Sequence, residues 1–183
     1  MELIFYILLF LHLASLILGL GSVLVTDLYG LLWIWDRLRF KQVIRVSSVT
    51  EKFIWLGWLG LVATGIPLLI MIGEISNLTI LKLFLVAVVG ANGVVLHFLQ
   101  QELRAFKEDG DVPNIFMFRL ILALSVSQIG WWGAAIIGFI NSQLAVTITW
   151  PANPWPIIGL FLAAILVLAA GGETIMRAQR AGT

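Results

Sequence analysis

The chain alternates long apolar runs with short polar connections. Five of the runs are long enough to cross a hydrocarbon core, which takes roughly twenty helical residues. They lie near 3–35, 53–73, 78–100, 115–140 and 155–175. The first exceeds a perpendicular crossing, so it is expected to tilt, to bend at Gly19 and Gly21, or to protrude at one end. Helix starts are marked locally. In "SSVTE" Ser48 is placed to cap a helix with Glu51 three residues on, and in "NPWP" Asn153 precedes Pro154 at a first helical position. Pro113 and Asn114 mark the fourth start. Pro67 in "ATGIPLL" predicts a kink in the second helix. Segment 38–50, "LRFKQVIRVSSVT", reads either as a short basic amphipathic stretch on the membrane surface or as a plain loop.

These elements predict an all-α, polytopic membrane protein: a five-transmembrane-helix bundle forming a single integral membrane domain over residues 1–183. Composition agrees. Hydrophobic residues make up 61% of the chain and charged residues 11%, and the mean hydropathy is +1.04, too apolar for a water-soluble globule. The start "MELIFYILLF" lacks a basic n-region and a cleavage pattern, so it reads as a retained helix. Basic residues occur in short clusters between runs, which argues against a nucleic-acid partner and leaves the lipid bilayer as the surrounding medium. Absence of Cys excludes disulfides and thiolate chemistry. Lys and Arg lie in 36–52, 101–114 and the C-terminal tail, whereas "GEISN" and "NSQLAVTITWPANPWP" carry none. This distribution predicts an N-terminus outside, a C-terminus in the cytoplasm and a bacterial inner membrane location. Trp33, Trp35, Trp55 and Trp58 would form the inner aromatic belt, Trp150 and Trp155 the outer one, with Trp131 and Trp132 deeper.

Ionisable groups inside membrane helices are costly, so each asks for a partner or a purpose. They are His12, Asp27, Lys82, His97, Arg119 and, near an end, Glu173. On the first helix His12, Ser15, Gly19, Ser22 and Thr26 share one face; on the third, Lys82, Val86, Gly90, Gly93 and His97 do the same. His12 to Asp27 and Lys82 to His97 are equally spaced, which suggests neighbouring helices with an outer layer of His12 and Lys82 and an inner layer of Asp27 and His97. A b-type haem would take His12 as axial ligand with Lys82 or Met71 as partner, and His97 with Met117 or Met176 at an inner site. Copper is poorly served by two His, four Met and no Cys. The ordinary reading of each His is an interhelical hydrogen bond. Asp27 with His97 suits a proton path, Asp27 with Arg119 a structural ion pair, and Lys82 can snorkel outward to Glu74. No hydrolytic or phosphate-binding motif is present.

Leu11–His12 with Gly19 and Gly21, and "LKLFLV" with Lys82 followed by His97, resemble the copper-resistance D-like proteins and the membrane-embedded, haem-dependent protoporphyrinogen oxidase family. That resemblance implies a haem or metal role for His12 and His97. Where the oxidase family continues with proline-arginine and a further histidine, this chain reads "DLYGLLWIWDRLRF". From end to end, "HL…GLG…D", "LK…NG…LH" and "S…WW" are similar to small five-helix bacterial membrane proteins of unassigned function. The competing expectation is a non-catalytic membrane subunit or scaffold, a homo-oligomer or part of a larger membrane complex, which packs through Ala87 with Ala91 and Ala134 with Gly138.

Overall fold

The computed structural model describes residues 2–106, 112–144 and 151–181. Among them are five α-helices, α1 (Glu2–Ile34), α2 (Phe40–Ile72), α3 (Asn77–Ala105), α4 (Asn114–Phe139) and α5 (Trp155–Ala181), and a π-helical turn at Ile140–Leu144, with no strand. All five helices are long and apolar enough to cross a membrane, so the chain is a multi-pass membrane protein by length and composition. Lys107 and Trp150 lie outside the described residues. The chain gathers into two compact units, Met1–Ser76 and Asn77–Thr183.

The first unit is a hairpin of α1 and α2. Its helices are longer than the sequence pattern suggests at one place: within segment 38–50, residues 40–50 are neither a loop nor a separate surface stretch but the first third of α2. Nor does Ser48 cap a helix, because its hydroxyl donates back to the Arg45 carbonyl at 2.8 Å, inside the helix. The start moves upstream to Arg39, whose N–H donates to Gln42 Oε1 at 3.0 Å, half of a capping box. The physical reason is the seam with α1. Val43, Ser47, Thr50, Gly57, Leu61, Thr64 and Leu68 are all buried, a three-and-four spacing that carries one stripe through the polar and apolar parts of α2 alike.

α1 runs from Glu2 to Ile34 without interruption, and its Gly19 serves close approach. A Cβ on Gly57 would lie 2.5 Å from the Gly19 nitrogen, and one on Gly60 would strike the Ser15 hydroxyl. Small residues bring the two backbones together here. α1 ends in a Schellman motif: Arg37 N–H donates to Leu32 O at 2.8 Å and Asp36 N–H to Trp33 O at 2.9 Å, with Asp36 left-handed at φ 56°. Gly73 plays the corresponding role after α2, at φ 75°. Pro67 sits within α2, which continues past it to Ile72.

The second unit packs α3 on α4, with α5 alongside α4. Leu78, Leu81, Leu85, Val89, Leu99 and Leu103 form the buried edge of α3, and Phe116, Ala123, Val126, Trp131 and Ala134 that of α4. A Cβ on Gly130 would lie 2.5 Å from Val89 Cγ2, so the glycine makes the socket for that valine. Ala134 and Gly138 are thus spent inside the unit, while Ala87 and Ala91 stay exposed. Phe118 occupies the space a side chain at Gly172 of α5 would need. The α5 start follows its sequence signal, with Asn153 Oδ1 accepting the Trp155 N–H at 3.1 Å.

Candidate functional site

The polar residues of α1 find their partners on α2. His12 Nδ1 lies 2.9 Å from Thr64 Oγ1, and the Thr64 hydroxyl donates its one proton to the Gly60 carbonyl at 2.6 Å. Two acceptors cannot share that short contact without a proton, so the hydroxyl oxygen accepts from His12 Nδ1–H. In that arrangement a neutral imidazole carries its proton on Nδ1 and its lone pair on Nε2. The ring edge lies over Gly65, where an added Cβ would come within 3.2 Å of His12 Cε1. Two turns beyond the glycine contact, Thr26 and Thr50 meet at 2.6 Å. One polar pair therefore stands on each side of the Gly19–Gly57 contact.

The remaining candidates divide between the units. Asp27 is half-buried on α1, and Met71 is 39% exposed near the end of α2, seven residues and so about 10 Å of helix from Thr64. In the second unit Lys82 lays its stem along α4, where a Cβ at Gly138 would be 3.3 Å from Nζ. Nearby, Asn141 of the π-helical turn donates from Nδ2 to Thr79 Oγ1 of α3 at 3.3 Å. His97 is exposed and accepts at Nε2 from the Gln101 amide at 2.8 Å, an i,i+4 contact that commits that nitrogen to its own helix. Arg119 is paired with Glu173 of α5, Nη2 to Oε1 at 2.6 Å, and Arg177 holds the other carboxylate oxygen at 2.9 Å. Glu173 is the partner of Arg119 that the sequence reading left out in favour of Asp27. Asn92 donates to the Ala123 carbonyl at 2.8 Å, tying α3 to α4.

Met117 and Met176 are half-buried in the second unit. Among the described residues no three His, Asp or Glu side chains gather into a group that could hold a metal ion. A metal held by the described residues would therefore rest on one or two side chains, as in haem ligation, and not on a protein cage. Sequence reasoning passed over Thr64, Thr50 and the Gly57–Gly60 pair. Their signal was present: 50, 57 and 64 repeat at seven residues, in step with 12, 19 and 26 on α1. Compared with family models, with curated proteins and with solved structures, the chain matches none of them.

Proposed function

We propose that the protein is an integral membrane protein that binds a b-type haem through His12 Nε2, in a redox or haem-handling role. The observation that supports this reading is the contact of His12 Nδ1 with the Thr64 hydroxyl. A ligating imidazole works as a neutral ring whose other N–H is held by an acceptor, which fixes its plane and raises its basicity. Thr64, itself anchored on Gly60 O, supplies that acceptor, and Gly65 leaves the ring edge uncrowded by a side chain. Met71, on the same hairpin, remains the proposed partner. A bound haem would supply one-electron chemistry. The chain's own share would be to hold the imidazole and keep the ring dry between α1 and α2.

The test is an absorption spectrum of the chain purified after expression with haem supply. A Soret band is expected, absent in His12→Ala, and retained in Thr64→Val with about 10–100-fold weaker haem affinity. No Soret band in oxidised and reduced wild-type protein, or an unchanged band in His12→Ala, would overturn the reading.

A second reading, a non-catalytic subunit associating with other helices, is favoured by α5 and by the outer face of α3. Leu160, Leu166 and Val167 are 73%, 69% and 70% exposed, and Ala87 and Ala91 offer small residues for close approach. A defined oligomer or a stoichiometric membrane partner in mild detergent, without pigment, would select it. In either case the Lys and Arg asymmetry supports an N-terminus outside and a C-terminus in the cytoplasm of a bacterial inner membrane. With no native Cys, single introduced Cys residues labelled from each side report that orientation directly.

A further inference from the structure

α2 has 33 residues, about 50 Å of helix, against a hydrocarbon core of about 30 Å. Only Phe53–Ile72 is uniformly apolar enough to fill that core, so the first third of α2 extends past it. On this extension Lys41, Arg45 and Lys52 are all exposed. At 100° per residue they fall within about 40° of one another, opposite the buried Val43, Ser47 and Thr50. The stripe turns apolar where the helix continues, at Trp55 and Leu59. Arg37 and Arg39, also exposed, flank the tip of the hairpin beside Trp33 and Phe40, whose rings are tilted 51° to each other with centroids 5.3 Å apart.

The pairing of the two helices adds a second constraint. Because Thr50 meets Thr26, the basic third of α2 lies level with the last third of α1. That part of α1 holds Asp27 half-buried and exposes leucines, with Leu24, Leu28 and Leu31 43%, 53% and 41% exposed. One level of the hairpin thus presents apolar side chains on one helix and a row of cations on the other. Bulk water suits only the cations and the acyl region only the leucines. The headgroup layer, where phosphates and acyl chains lie within a side chain's reach of each other, suits both.

We infer that the Lys41–Arg45–Lys52 stripe on the extended part of α2 is a binding surface for the phosphates of anionic phospholipids, independent of any role of His12. With Arg37 and Arg39 at the hairpin tip the stripe makes five exposed basic residues beside a membrane span, a cluster of the size that recognises anionic headgroups. A soluble acidic protein would leave the level apolar surface of α1 in water.

The test titrates the full chain in mild detergent with dioleoyl phosphatidylglycerol or dioleoyl phosphatidylcholine and counts bound lipids by native mass spectrometry. Phosphatidylglycerol is expected to bind at least tenfold more tightly, and the preference should shrink as salt rises. Changing Lys41, Arg45 and Lys52 together to Gln should abolish most of it, at up to about fivefold per residue. Arg104→Gln in the second unit should leave it in place. Equal binding of the two lipids by the wild-type chain, a preference indifferent to salt, or a preference that survives the triple change would overturn the inference. So would copurification of a stoichiometric acidic protein that the triple change releases.

Discussion

Asp36 holds a left-handed backbone at φ 56°, where a side chain pushes Cβ toward the following carbonyl. Asp tolerates this better than most residues, but Gly has no Cβ at all. Asp36→Gly is therefore expected to stabilise the hairpin by up to about 1 kcal/mol, read as a higher unfolding midpoint in detergent. A lower midpoint would mean that the carboxylate, among Arg37 and Arg39, contributes more than the backbone loses. The same scale shows what side-chain identity alone conveys. His12 was marked by its cost in an apolar run, and its partner Thr64 was not. A threonine satisfies itself on its own helix in any membrane span, and only the proton already given to Gly60 O turns its oxygen toward α1.

Between helices, the deciding contacts are glycines with different surroundings. Gly57→Ala would put a methyl 2.5 Å from the Gly19 nitrogen, against backbone that cannot rotate away. Overpacking of this kind costs about 1–3 kcal/mol. Gly21 has nothing within 4 Å of an added Cβ, so Gly21→Ala should gain the helix-propensity difference of about 0.8–1.0 kcal/mol. Measured side by side, the two changes should move the unfolding midpoint in opposite directions. The α4–α5 contact admits a sharper trial. Arg119→Glu and Glu173→Arg should each destabilise the chain by placing like charges together, and the double exchange should recover most of the loss while Arg177 keeps it from being complete. Five helices were legible because hydropathy sets their number and rough span. The upstream start of α2 was not, since "LRFKQVIRVSSVT" looks polar in one dimension. Its Val43, Ser47 and Thr50 become one face only once α1 is there to pack on them.

At the scale of the molecule, each unit buries its own seam. Expressed separately, Met1–Ser76 and Asn77–Thr183 should each insert as helical, alkali-resistant membrane proteins, as circular dichroism and extraction would show. Loss of helix in either fragment would place the stabilising packing elsewhere. The expected layers of His12 with Lys82 and Asp27 with His97 take one residue from each unit, and single-sequence spacing can suggest such a match without supplying the tilt or neighbours that would make it. What α1 and α2 do carry is a repeat: 12, 19 and 26 on one helix advance as 64, 57 and 50 retreat on the other. A hairpin built on a seven-residue period can slip by a whole period and still match small residue to small residue. After such a slip His12 would face Gly57, and Thr26 would lose Thr50. The two hydroxyl contacts at the ends of the glycine stretch thus act as stops that make the slipped alternatives costly. Removing both, by His12→Leu with Thr26→Val, would free the helices to slide rather than pull them apart.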